Sequence, residues 1–113
     1  MDEDSVFEVV VERPDGGSVV VRPRGELDLL SAPQVQEVLE RAQADRVDLV
    51  LDLTGLDFID STGVHLVLDA FLASQRDGWD LSIVGAGEEV RRAFELVGLI
   101  DHLPFRDSGQ TAS

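Results

Sequence analysis

Cysteine, lysine and asparagine are all missing from this 113-residue chain, and the first two absences each remove a class of chemistry. Without cysteine there is no disulfide, no thiolate metal site and no thiol nucleophile, a composition that suits a reducing cytoplasm. Without lysine there is no Walker A phosphate-binding lysine and no Schiff base, and all nine basic residues are arginine. No apolar run approaches the roughly 20 residues of a membrane span. The start, Met1-Asp2-Glu3-Asp4-Ser5, lacks the basic and apolar regions of a signal peptide. A soluble, cytoplasmic protein with no membrane insertion is expected.

Positive charge is scarce. Nine basic residues face 23 acidic ones, for a formal net charge of -14. Such a field repels phosphate backbones and anionic lipid heads, so nucleic acid is not an expected partner. It favours solubility, or steering toward a basic partner surface. The length fits one domain, 1–113, with a core over about 6–105, a frayed acidic N-terminus and a polar C-terminal tail from Arg106. No repeat or linker divides the chain.

Apolar periodicity supplies the elements. Val6 to Glu12 and Ser18 to Arg24 read as strands, and Pro14-Asp15-Gly16-Gly17 between them supplies turn chemistry, which predicts an antiparallel hairpin. Ser31-Ala32-Pro33-Gln34 offers a cap hydroxyl, a glutamine three residues on and a first-turn proline, so a helix starts there. Val35, Val38, Leu39 and Ala42 form its apolar face. Val47 to Leu53 alternates as a central strand. Thr54 to Asp57 is a loop and Phe58-Ile59 a short apolar extension. From Thr62 to about Asp77, Val64, Val67, Leu68, Phe71 and Leu72 keep helical spacing, with Gly78 as the stop. Trp79 to Val84 is a further strand. Glu88 and Glu89 open a last helix whose buried stripe is Val90, Ala93, Phe94 and Val97, with Gly98 as its cap and Leu99 packing behind it. Leu103 to Phe105 is a final short strand. Alternation of this kind predicts an α/β fold: one mixed sheet of about four or five strands with the helices mainly on one face.

The segment richest in function is Phe58-Ile59-Asp60-Ser61-Thr62-Gly63-Val64-His65. A hydroxyl at such a strand-to-helix turn is exposed and faces the unpaired amides of a helix start, where a phosphate is well accommodated. Two motifs, Gly25-Glu26-Leu27-Asp28 before the first helix and Val50-Leu51-Asp52-Leu53 through Phe58-Ile59-Asp60-Ser61-Thr62-Gly63, each in its proper context, make the chain resemble the STAS family, the sulfate-transporter and anti-sigma-factor-antagonist domain. Within it the chain is most similar to the stand-alone bacterial antagonists of anti-sigma factors, and the likeness runs from Val6 to Phe105.

What the resemblance implies is partner switching, with the STAS fold. The unmodified antagonist binds an anti-sigma factor that is also a serine kinase and so frees a sigma factor for transcription. The kinase phosphorylates the serine that here is Ser61, the complex separates, and a serine phosphatase restores the antagonist. Ser61 is then a substrate and not a catalyst; the chain is not an enzyme and needs no cofactor or metal. Glu26, Asp28, Asp60, Ser61, Thr62, Gly63 and His65 form the expected partner face. Some family members have glycine where this chain has His65. The alternative function is a constitutive STAS interaction module in a stress-signalling complex or a lipid or anion transporter.

Each of these residues also has a plainer reading. Ser61 fits a helix N-cap, and Thr62 could take a phosphate in its place. Gly63 suits either a partner's close approach or helix packing. Asp28 suits a turn former as well as a docking residue. Asp57 and Asp60 are two carboxylates without a substrate phosphate, a weak basis for a magnesium site. Ser61 and His65, four apart, could be drawn as a nucleophile and base oriented by Asp60, but there is no Gly-x-Ser-x-Gly elbow. His102 reads as a surface residue, and the two histidines make no metal motif.

Overall fold

A computed structural model describes residues 7–14, 17–98 and 100–106. β1 (Glu8–Glu12) and β2 (Ser18–Leu27) form the predicted antiparallel hairpin, with Glu8 opposite Arg24 and Glu12 opposite Val20. Asp15 and Gly16 of the predicted turn lie outside the described residues. β2 runs three residues further than its apolar pattern announces. Gly25, at φ 112, and a register shift between Gly25 and Glu26 let it bend and change neighbours. Its first half pairs in parallel with β3 (Asp48–Asp52), and its last three residues pair in parallel with β4 (Leu56–Ile59). Glu26 therefore stands in a strand and not in a loop.

The remaining strands are β5 (Leu81–Val84), parallel to β3, and β6 (Phe105–Arg106), parallel to β5. The strand order is β1-β2-β3-β5-β6, with β4 beside the far end of β2, in one mixed six-stranded sheet. β4 is the strand that the sequence presents as a loop and a two-residue extension, because four residues are too few to show alternation and its pairing is wholly with β2. β5 begins two residues later than predicted, and the final strand is Phe105–Arg106.

Burial divides the sheet. Val19, Val21, Leu49, Leu51, Leu81 and Ile83 are buried, while Val20, Arg22, Val50, Asp52, Ser82 and Val84, the intervening residues, keep some exposure. The period of two places these sets on opposite faces, so the helices cover one face only. α1 (Ala32–Ala44) buries Val35, Leu39 and Ala42, and α2 (Ser61–Asp77) buries Val64, Leu66, Val67, Ala70 and Ala73. α3 (Glu88–Leu96) buries Val90 and Phe94, and the Phe94 ring meets Phe105 edge-on with centroids 5.1 Å apart. Val97, expected in the buried stripe of the last helix, lies past the last turn of α3 and is 46% exposed, and Leu72, which keeps the helical spacing of α2, is 50% exposed. Leu99 and the tail beyond Arg106 lie outside the described residues. Among the described residues no helix is long and apolar enough to cross a membrane.

α2 starts one residue earlier than its periodicity suggests and stops where expected, with Gly78 at φ 82 and its N–H bonded to the Ser74 carbonyl. α1 starts at the expected place for a different reason. Ser31 has a near-helical backbone, φ -93 and ψ -18, and its hydroxyl makes no cap hydrogen bond. A capping side chain needs an extended backbone to reach forward over the first amides. The Ser31 hydroxyl turns back to the preceding loop instead.

Candidate functional site

The ends of β2 and β4 lie side by side: Leu27 is the register partner of Ile59, and the Asp60 amide donates to the Leu27 carbonyl at 3.1 Å. Because the two strands are parallel, the chain leaves both at the same edge, into the Asp28–Ser31 loop on one side and the Asp60–Ser61 turn on the other. This is the carboxyl edge of the sheet, where open α/β folds bind their ligands. The G-E-L-D and D-S-T-G motifs, over thirty positions apart in the chain, are thus brought into one site.

Ser61 is the exposed first residue of α2 and has no hydroxyl hydrogen bond among the described residues. The cap is Asp60, whose extended backbone, φ -106 and ψ -174, lets its carboxylate accept from the Gly63 amide at 3.1 Å. Capping is therefore not the role of Ser61. With the Gly63 amide taken, the Ser61 and Thr62 amides are left without an intrahelical partner at the positive end of a 17-residue helix. Thr62 is half-buried, so Ser61 is the more accessible of the two hydroxyls.

Gly63 is buried, and a Cβ there would lie 2.6 Å from Ile59 Cγ1 and 2.9 Å from Leu27 Cγ. Of its two readings the geometry supports helix packing: glycine lets the first turn of α2 settle directly on β2 and β4. His65 is exposed, and its Nδ1 lies 2.8 Å from the Ser61 carbonyl oxygen. A carbonyl only accepts, so in this contact Nδ1 is the donor. The ring is thus engaged with the Ser61 backbone and not with its hydroxyl, which is no arrangement for a general base.

Asp28 is committed to its own loop. One carboxylate oxygen accepts from the Leu30 amide at 3.0 Å and the Ser31 amide at 3.1 Å. Ser31, only 7% exposed, donates its hydroxyl to the Glu26 carbonyl at 2.7 Å and accepts from the Asp28 amide at 3.0 Å. The turn-forming reading of Asp28 describes its contacts, and Glu26 is exposed beside it. Leu29 and Leu30, absent from the expected partner face, are 69% and 88% exposed, and Phe58 of the D-S-T-G segment is 46% exposed. The adjacent leucines between Asp28 and Ser31, outside any periodic pattern, were the signal for the first two. Phe58 also borders a groove of about 370 Å³ shared with Glu88, Glu89, Arg92, Ala93 and Leu96 of α3.

Carboxylates crowd the two segments that meet here, with Arg92 in the Phe58 groove. Among the described residues none of Glu26, Asp28, Asp57 and Asp60 takes part in an ion pair. The guanidinium groups that are paired lie elsewhere, chiefly Arg22 between Glu12 at 2.6 Å and Asp52 at 3.0 Å on the uncovered sheet face. Hydrogen bonds to Glu12 and then Asp52 raise the Arg22 pKa. Burial works to raise the pKa of Asp52, but donation from the Thr54 hydroxyl and amide and from Arg22 outweighs it, and the net shift is down. This cluster braces the sheet and has no part in the Ser61 edge.

Comparison with known proteins gives a consistent result. The family model described as "STAS domain" matches residues 8–112. An anti-sigma-B factor antagonist of Staphylococcus aureus is 33% identical over 82 residues, covering 72% of this chain and 76% of the relative. One of Listeria monocytogenes is 29% identical over 100 residues, 88% of each chain. The crystal structure of an anti-sigma factor antagonist from Mycobacterium paratuberculosis superposes with a TM-score of 0.85 at 26% identity, covering 99% of this chain and 95% of the other.

Proposed function

The chain belongs to the STAS domain family, whose antagonist members are binding proteins and not enzymes; from that premise we propose that it is a cytoplasmic anti-sigma factor antagonist switched by phosphorylation of Ser61. In the unmodified state the edge formed by Glu26, Asp28, Asp60, Ser61, Thr62 and His65 docks on an anti-sigma factor with serine kinase activity, and a sigma factor is freed. Transfer of phosphate to Ser61 ends the complex, and a serine phosphatase resets it. Gly63 contributes by shaping the turn.

The observation that carries this reading is the placement of Ser61: an exposed, unbonded hydroxyl at the first position of α2, at a helix start whose first two amides have no intrahelical partner, and among carboxylates with no ion-pair partner. In the free protein the helix end favours a phosphate there. In a complex the same group adds roughly -1.5 to -2 charge to an edge that is already acidic. One site thus tolerates the ester when open and rejects it when covered, and no refolding is required.

The test is incubation with the candidate anti-sigma kinases of the same genome and ATP, followed by intact-mass measurement. A single added phosphate that disappears in Ser61→Ala is expected. No added phosphate, or phosphate that persists in that variant, refutes the site.

A further inference from the structure

Leu29 and Leu30 are adjacent and 69% and 88% exposed, yet the loop that carries them is tightly held. The Asp28 carboxylate accepts from the Leu30 and Ser31 amides, the Asp28 carbonyl accepts from the Ala32 amide at 2.8 Å, and buried Ser31 ties the Glu26 carbonyl to the Asp28 amide. Single exposed leucines are ordinary. Two in succession, fixed outward by a polar cage and joined to the Ser61 turn through the bond from Asp60 to Leu27, form a preordered protrusion. Ordering before contact removes part of the entropy cost of binding, which is what an anchor requires.

The charges around the pair decide what can cover it. Glu26, Asp28 and Asp60 stand on the two segments that meet at this edge, all without ion-pair partners among the described residues. A second copy of this chain would bring the same acidic rim against itself, with a formal charge of -14 on each side. The complementary surface is an apolar socket rimmed by arginine or lysine. We infer that Leu29 and Leu30 are an apolar anchor that enters such a socket on the anti-sigma factor, giving the complex an attachment separate from the Ser61 switch. The identity of the partner rests on the function proposed above.

The experiment is titration calorimetry of the anti-sigma factor against the wild-type chain, Leu30→Ala, the double variant Leu29→Ser/Leu30→Ser, and Ser61→Asp, with thermal unfolding of each. Because both leucines already face water, the unfolding midpoints of the leucine variants are expected to match the wild type. Their affinity is expected to fall by about tenfold for Leu30→Ala and further for the double variant, through faster dissociation. Leucine variants that bind within twofold of the wild type, while Ser61→Asp does not bind, overturn the anchor and leave the switch standing. Absence of binding by the wild-type chain overturns the partner reading and the anchor with it. Sedimentation that shows a wild-type dimer abolished by the double variant also overturns the anchor, by assigning the leucines to a second copy.

Discussion

Replacing Ser61 by aspartate isolates the electrostatic part of the switch, because it adds one fixed charge at the position of the hydroxyl and little volume. Ser61 is exposed in the free chain, and the carboxylates nearest to it in the chain and in the sheet carry no paired cation. A new anion there costs little in water but loses its solvation when a partner covers the edge. An uncompensated buried charge costs about 3 to 5 kcal/mol. The positive end of α2 remains in the complex and offsets up to about 1 kcal/mol of this. About 2 to 4 kcal/mol is left, a loss of roughly 30- to 1,000-fold in affinity. Calorimetry against the anti-sigma factor at two salt concentrations reads this directly, with Ser61→Ala as the uncharged control that binds like the wild type. The difference between the two variants is expected to persist at high salt, since a desolvated charge is poorly screened. Equal affinities for Ser61→Asp and Ser61→Ala refute release by local charge.

Three further outcomes follow from the same geometry. Asp60→Ala removes the α2 cap that accepts from Gly63 and is expected to cost about 0.5 to 2 kcal/mol in chemical denaturation, whereas Asp60→Asn retains most of it; no loss in the alanine variant contradicts the capping role. Gly63→Ala forces a Cβ against Ile59 and Leu27. The overpacking cost of about 1 to 3 kcal/mol exceeds the helix-propensity gain of up to about 1 kcal/mol, and a variant more stable than the wild type is the contrary result. The folded pKa of Asp52 lies below its unfolded value, so its share of stability is complete above the unfolded pKa near 3.8 and is lost as pH falls through the lower folded value. Denaturation series from pH 7 down to pH 2.5 are expected to lose less stability in Asp52→Asn than in the wild type, and parallel curves contradict this.

How much of this was legible in the sequence depended on the length over which a signal could repeat. Val47 to Leu53 alternates through seven residues, and the structure keeps the alternation on opposite faces of β3. The helical spacing from Val64 onward, closed by Gly78, located α2 to within one residue. β4 has four residues and one partner strand, so nothing local could announce it, and the extension of β2 through Gly25 depends on that same partner. Ser31 shows the limit of a motif: its hydroxyl, proline and glutamine have the right order for a cap, but a near-helical backbone turns the side chain toward Asp28 and Glu26. The juxtaposition of the two motifs follows from the parallel pairing of β2 with β4, which neither segment announces by itself. The polar site residues could be named from their types. For Leu29 and Leu30 the sequence offers only their adjacency outside any periodic pattern, because the exposure of an apolar side chain is a property of the folded surface.

Partner switching at this edge requires one contrast, that a phosphate on Ser61 leaves the free chain folded and abolishes its complex. The direct measurement takes enzymatically phosphorylated wild-type chain and follows both thermal unfolding and anti-sigma factor binding on the same preparation. The prediction is an unfolding midpoint at or above that of the unmodified chain together with loss of detectable binding. A phosphorylated chain that binds as well as the unmodified one, or that loses binding only because it has unfolded, contradicts it.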